Sequence, residues 1–251
     1  MKKIKKKQSG SQALAAFLIG WTHGEAPPPG YLAAWFDQLY GGPLQIRFLS
    51  AGGHHHFEAG HTNWKAQVHI NSSQKTPERW QGYLQWEHPY LTEIMPSSKM
   101  QAGRQDEVLH IARIARGLTL LLEGTTYDVA TGVYSNPSDW NDRDLVVFQI
   151  HDHVRVELHE QIQHMRTWFH TRGLTKFGLD EIETFQPIGL SERDIEPMLY
   201  GVARRLMAQG KNPKIGEHVS FGGEGLQVEV VRHRTDPIYG IPLAFREIRL
   251  D

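Results

Sequence analysis

The chain contains no cysteine. That excludes disulfides, a thiol nucleophile and Cys-ligated zinc. It also lacks an excess of either charge: 27 Lys+Arg against 28 Asp+Glu leave a net charge of -1 over 251 residues. Such a balance argues against a nucleic-acid binder that works through a bulk basic face. The apolar run from Ala13 to Gly20 falls far short of the roughly 20 residues a membrane-spanning helix requires. Catalytic signatures are missing too. There is no G-x-S-x-G nucleophile elbow and no G-x-x-x-x-G-K-[ST] phosphate loop. His159-Glu160 opens an H-E-x-x-H pattern, but Gln163 stands where the second histidine belongs and His164 comes one residue later. On a helix that offset turns the second ring away, so a zincin is rejected, and Glu160 and His164 read as a surface pair at i,i+4.

What is present describes a soluble globular protein. Hydrophobic residues are 39% and charged residues 22%, in a chain long enough for one large domain or two small ones. Histidine is abundant at 15, which invites a metal or acid–base reading, and there are 7 tryptophans. The start carries Lys2, Lys3, Lys5, Lys6 and Lys7 ahead of the short apolar run. This reads as a flexible lysine-rich tail before a first buried strand in a cytoplasmic protein. The competing reading, a secretory signal over residues 1–26, lacks a small-x-small cleavage site in the right place.

Periodicity orders the rest. Pro27, Pro28 and Pro29 open a helix in which Tyr31, Leu32, Trp35, Phe36 and Leu39 recur, and Gly41-Gly42 stops it. Strands are expected at Leu44–Leu49 and at Trp64–Ile70, where Trp64, Ala66, Val68 and Ile70 share a face. Thr76 and Pro77 begin a helix running towards Trp86, and residues 89–101 read as a connection. The longest helical pattern spans about Gln105 to Leu122. Two short extended pieces follow over Thr125–Tyr134, and Asn136-Pro137-Ser138 is a turn or a helix cap. Leu145–Ile150 reads as a strong strand. Residues 151–170 fit a strand to about Val156 and then a helix on which Leu158, Ile162, Met165 and Phe169 align. Glu181–Phe185 is a strand. Ser191 and Asp194 cap a helix closed by Gly210, and strands are expected at Val228–Val231 and Ala244–Leu250. Gly222-Gly-Glu-Gly225 reads as a hairpin turn.

This order predicts an α+β fold: antiparallel or mixed sheets with helices packed mainly on one face, open to a division into two related ferredoxin-like halves. The expected organisation is a tail at 1–12, an N-terminal α+β half at 13–135 and a C-terminal α+β half at 136–251, packed as one unit.

Two places hold candidate ligand-binding residues. His54, His56 and His61 follow a double glycine, with Glu58 nearby and His69 on the next strand. In a hairpin His54 and His56 point the same way, and His61 or His69 would complete a metal site; otherwise the cluster is a solvated loop. The second place is Thr171–Glu183, which concentrates two glycines, two cations, an aromatic and three acids. Arg172 and Lys176 would hold a carboxylate or phosphate beside the Gly173 backbone, with Tyr127, Asp128 and Trp140 as a pocket rim. Alternatively the stretch is a structural bend anchored by Phe177, with Arg172 paired to Glu181 or Glu183.

Several pieces together resemble a known group. Thr171–Gly178 with Glu181–Glu183, Glu123-Gly124 through Tyr127–Gly132, and Asp236–Gly240 look like the bacterial domain of unknown function numbered 4261, over residues about 105–251. The resemblance implies a cytoplasmic bacterial α+β protein and carries no activity. The leading expectation is a non-enzymatic binding or interaction module, of a toxin-neutralising kind, that uses no cofactor and contacts another protein but neither a membrane nor nucleic acid. The rival is a hydrolase, metal-dependent through the His54–His61 cluster or binding a small anionic ligand at Arg172 and Lys176.

Overall fold

The computed structural model describes residues 16–22, 25–50, 55–71, 80, 88–97, 104–187, 193–222, 225–238 and 241–250. The lysine-rich start, His54, the helix expected after Thr76, and Ser191 lie outside them. The fold is α+β, with two open sheets. It divides into two units: residues 1–99, 110–129 and 133–142 form the first, and residues 100–109, 130–132 and 143–251 the second.

The first unit is built on a seven-stranded antiparallel sheet. Its strands are β1 (Phe17–Trp21), β2 (Gln45–Phe48), β3 (His56–His61), β4 (Trp64–Asn71), β5 (Tyr90–Pro96), β6 (Thr125–Asp128) and β7 (Val133–Ser135), in the order β2-β3-β4-β5-β1-β6-β7. Helix α1 (Pro29–Tyr40) starts on proline and buries Leu32 and Phe36. Helix α2 (Gln105–Leu122), which belongs to this unit from His110 onward, buries Ile111, Ile114, Ala115 and Leu118 along one stripe. The short helix α3 (Pro137–Asn141) is capped by Asn136, whose side chain accepts from the N–H of Ser138 and Asp139 while Asp139 reaches back to the Asn136 N–H.

Residues 90–96, expected as a connection, are instead a strand between β4 and β1. Its centre is buried on both faces, so Leu91, Thr92, Glu93 and Ile94 follow one another without the alternation that marks a half-exposed strand. Thr92 is tolerated there because its hydroxyl accepts from Trp21 Nε1 at 3.2 Å.

The second unit carries a six-stranded mixed sheet. Its strands are β8 (Arg155–Gln161), β9 (Arg166–Arg172), β10 (Glu181–Pro187), β11 (His218–Ser220), β12 (Gln227–Ile238) and β13 (Ile241–Leu250), in the order β11-β12-β13-β10-β9-β8. Only the β10–β13 pairing is parallel. Helix α4 (Ile195–Gln209) places Leu199, Val202, Ala203 and Leu206 in a core with Phe169, Ile182, Val228, Val230 and Ile248. Asp194 stands at its start without a side-chain cap bond, and Gly210 ends it in the left-handed conformation.

Two expectations in this unit are corrected. Residues 145–150 form no strand: Leu145 sits at φ 51°, Asp144 Oδ1 accepts from the Val146 N–H at 3.1 Å, and Val146 and Val147 are exposed. β-branched composition resembled a strand where no sheet neighbour pairs with it. Residues 158–169 are not helical but form the β8–β9 hairpin, turning over Ile162–His164 with Met165 left-handed at φ 49°. The stripe of Leu158, Ile162 and Met165 is a solvent-facing coincidence of spacing, since all three are exposed. The proposed helix pair of Glu160 and His164 therefore does not exist.

The bend from β9 to β10 is fixed by one buried carboxylate. Glu181 accepts from Thr171 Oγ1 at 2.7 Å and from the N–H groups of Gly173, Leu174 and Thr175 at 2.9, 3.3 and 3.3 Å. Burial pushes its carboxyl upward from the ordinary range, and those four donors pull against that shift. Gly173 has φ 119°, and a Cβ there would lie 2.2 Å from the His153 carbonyl oxygen, so only glycine fits. Lys176, also buried, donates to that same oxygen at 3.0 Å, and Phe177 is wholly enclosed in the core.

Removing the acceptor has a clear cost. Glu181→Ala strands two buried N–H groups and a part-buried one, and is expected to lower the unfolding free energy by about 3 kcal/mol. Glu181→Gln turns one amide N–H₂ towards donors and is expected to fall between the two. Urea unfolding with matched m-values measures this, and an unchanged midpoint for the alanine variant contradicts it.

Candidate metal centre

Strands β8 and β9 have the sequences R-V-E-L-H-E-Q and R-T-W-F-H-T-R. Alternation sends Phe169 and Val156 to the α4 side, where both meet the core. The opposite face carries Arg155, Glu157 and His159, which pair across the hairpin with Arg172, His170 and Trp168. On the next strand Glu183 and Phe185 lie opposite His170 and Trp168. Three strands thus bring acids, histidines and arginines side by side, from positions far apart in sequence.

Glu157, His159 and His170 converge. One atom from each lies within 4.8 Å of the others, the one such group of three among the described residues. Glu157 Oε2 is 3.4 Å from His170 Nε2 and 3.6 Å from His159 Nε2. Bonds of about 2.1 Å to a tetrahedral zinc place neighbouring ligand atoms about 3.4 Å apart. The two distances from the Glu157 carboxylate match that edge, and all three atoms lie within 4.8 Å. The two imidazole rings stack with centroids 5.3 Å apart and planes 6° from parallel, and Trp168 packs on His170 at 4.2 Å.

The proton inventory sharpens the geometry. His170 Nδ1 lies 3.1 Å from the Thr171 carbonyl, which can only accept, so Nδ1 carries the proton. Burial pulls the pKa of this histidine down to about 4, against smaller opposing contributions from that carbonyl and from Glu157. At neutral pH Nε2 is then a bare lone pair aimed at a carboxylate. His170 Nε2 and both oxygens of Glu157 are buried without a directed hydrogen bond. Two acceptors at 3.4 Å repel unless a cation lies between them.

The surroundings orient the carboxylate. Arg155 Nη2 contacts Glu157 Oε1, and Arg172 Nη1 approaches the same oxygen at 3.6 Å. The arginines hold Oε1 and leave Oε2 to the histidines, the kind of outer support that fixes a metal ligand. The Glu157 and His170 side chains are 4% and 0% exposed, whereas His159 is 45% exposed, so the cluster opens to solvent on one side.

Glu183, the neighbouring buried carboxylate, is fully satisfied. It accepts from Trp168 Nε1 at 2.8 Å and from Arg234 Nε and Nη2 at 2.8 and 2.6 Å. Arg234 also lies over the rings of Trp168 and Phe245, at 5.1 and 5.3 Å from their centroids.

The residues singled out from sequence are placed differently. His56 and His61 stand at opposite ends of β3, five residues apart and so on opposite faces. They cannot share an ion. His56 neighbours His69 at 5.4 Å between ring centroids, and His61 packs on Phe36 at 5.1 Å. Arg172 and Lys176 are 2% and 1% exposed, so they form no open anion loop. Arg172 approaches Glu157, while Glu181 serves the bend and Glu183 accepts from Arg234. Tyr127 is buried against Tyr134 at 4.6 Å, and Asp128 ends β6. Trp140 is no rim residue: it is 2% exposed and donates from Nε1 to Thr126 Oγ1 at 3.1 Å. Glu157, His159 and His170 were hidden by the helical reading of residues 158–169. The available signal was Glu157-x-His159, two ligand types at strand spacing.

Comparison with known families places one match on this unit. Residues 154–235 match the C-terminal model of DUF4026, a protein of unknown function. This supports an uncharacterised domain-of-unknown-function family, and the number is not the 4261 that the short motifs suggested. The matched stretch contains all three residues of the cluster. No curated protein and no solved structure matches the chain. Among the described residues, no helix is long and apolar enough to cross a membrane.

Nitrogen NMR of the metal-free protein tests the proton inventory. His170 is expected to show Nδ1–H and a bare Nε2 at pH 7, and to gain its second proton only near the value of about 4. An imidazolium signal for His170 at pH 7 contradicts the site as described.

Proposed function

We propose that the second unit is a metal-binding module that holds a zinc-like divalent transition-metal ion through Glu157 Oε2, His159 Nε2 and His170 Nε2. One observation carries this reading: Glu157 Oε2 and His170 Nε2 are buried without a directed hydrogen bond, and the half-exposed His159 Nε2 converges on the same carboxylate. Imidazole and carboxylate ligands suit zinc and its first-row neighbours, and a chain without cysteine has to use such a set. Thr171 O would fix the His170 tautomer, while Arg155 and Arg172 would fix the carboxylate.

A second reading follows from the number of ligands. Two histidines and one glutamate leave a fourth tetrahedral position, and the half-exposed His159 side turns it towards solvent. Structural zinc sites are closed by four protein ligands; open three-ligand sites bind and activate water. The hydrolase reading therefore rests on this cluster, not on His54, His56 and His61. A binding role needs only the ion, and hydrolysis needs water at the fourth position as well.

Calorimetric titration with zinc chloride tests the proposal. The chelator-stripped protein is expected to take up one ion per chain and to gain thermal stability in proportion to occupancy. His170→Ala and Glu157→Gln are expected to weaken binding by at least about tenfold each, and His159→Ala by a smaller factor, since its ring is the most exposed of the three ligands. Uptake unchanged in all three variants would falsify the assignment.

A further inference from the structure

The second unit contains another concave site, on the outer side of α4 and independent of the metal cluster. A cleft of about 580 Å³ lies between that helix and the β11–β12 hairpin, lined by Pro197, Gly201, Arg204, Arg205, Ser220 and Phe221. A second cleft of about 390 Å³ shares Arg204 and is lined by Phe148, His151 and the amides of Gln105 and Gln149. Both volumes fall in the range of small-molecule sites.

Charge marks this place: Arg166 is held by Gln161 Oε1 at 2.8 Å and by the Phe185 ring, and other arginines of the unit face carboxylates. Arg155, Arg172, Arg232, Arg234, Arg246 and Arg249 all lie within ion-pair distance of a carboxylate. Arg204 and Arg205 have no carboxylate partner among the described residues. Arg204 instead lies with Nη2 3.4 Å from His151 Nε2, a contact that brings it no negative charge. Two adjacent guanidiniums with no counter-charge in a concave wall repel each other and attract an oxyanion.

The wall is shaped to leave space. A side chain at Gly201 would begin 3.2 Å from Phe221 Cβ and 3.8 Å from the Gly222 nitrogen, so it would project into the gap between helix and hairpin. Glycine there costs helix stability of about 1 kcal/mol relative to alanine. The Ser220 hydroxyl adds a neutral donor at the same wall.

We propose that this paired cleft binds an organic phosphate. The phosphate lies on Arg204 and Arg205 with the Ser220 hydroxyl. The organic part crosses Arg204 into the smaller cleft, where the Phe148 ring offers an apolar surface and Gln105, Gln149 and His151 offer hydrogen bonds. Phosphate recognition is set by the two forks, and the side-chain amides select the group attached to it.

The test uses the full chain with EDTA present, so that the metal cluster cannot hold the phosphate. Adenosine diphosphate and inorganic pyrophosphate are titrated calorimetrically near 0.15 M salt, which screens non-specific surface attraction. Saturable binding of the nucleotide, tighter than that of pyrophosphate, is expected. Arg204→Gln with Arg205→Gln, both exposed and so tolerant of change, is expected to weaken it by at least about tenfold while leaving the melting temperature unchanged. His170→Ala is expected to leave nucleotide binding intact. No saturable binding up to about 5 mM, a detectable floor for such weak ligands, overturns the proposal. So does equal affinity in the double variant, or pyrophosphate binding as tightly as the nucleotide.

Discussion

The Glu181 carboxylate is the constraint on which the C-terminal sheet depends. It gathers a hydroxyl and three backbone N–H groups into one buried acceptor, and so closes the chain between β9 and β10. A bend this tight needs Gly173 at φ 119°, with the His153 carbonyl directly against it. Once the bend is set, β10 returns antiparallel to β9 with Glu183 opposite His170 and Phe185 opposite Trp168. A slip of one residue would turn Glu183 and Phe185 away from His170 and Trp168. The candidate ligands themselves are brought together by the β8–β9 hairpin, and the bend sets Thr171 and Arg172 beside them.

Two of the buried carboxylates on this face of the sheet, Glu157 and Glu183, flank His170, and their contrast gives the site its meaning. Glu183 takes a tryptophan N–H and both arms of Arg234, and nothing is missing. Glu157 has arginines beside Oε1 but only histidine nitrogens before Oε2. The same fold that satisfies one carboxylate leaves the next with an acceptor facing acceptors. Such an arrangement costs stability unless a cation completes it. A direct ion pair with His170 works against the burial that pulls its pKa down to about 4.

Much of the architecture was legible from periodicity. The α1, α2 and α4 stripes, the alternation of β4 and the late β12–β13 pair all follow from one-sided burial. Sequence patterns failed where burial was two-sided or absent. β5 is enclosed on both faces and shows no alternation, while Val146 and Val147 carry strand-like side chains into solvent. The costliest error was at residues 158–169, where Leu158, Ile162 and Met165 imitate a helical stripe although none enters the core. Reading a helix there separates His159 from His170, and only hairpin pairing unites them with Glu157. Thr171–Glu183 drew notice as a cluster of charge. Its chemistry turned inward: Glu181 holds the bend, Lys176 holds a carbonyl, and Arg172 steadies Glu157.

The central claim is that a metal ion belongs between Glu157, His159 and His170. Anomalous scattering from crystals equilibrated with zinc, recorded on both sides of the zinc absorption edge, reads it most directly. The account predicts one edge-dependent peak about 2 Å from Glu157 Oε2, His159 Nε2 and His170 Nε2, with a non-protein ligand on the solvent side. Full-occupancy zinc elsewhere with none at this position, or a Glu157 carboxylate bridged to His170 by a proton alone, would contradict it.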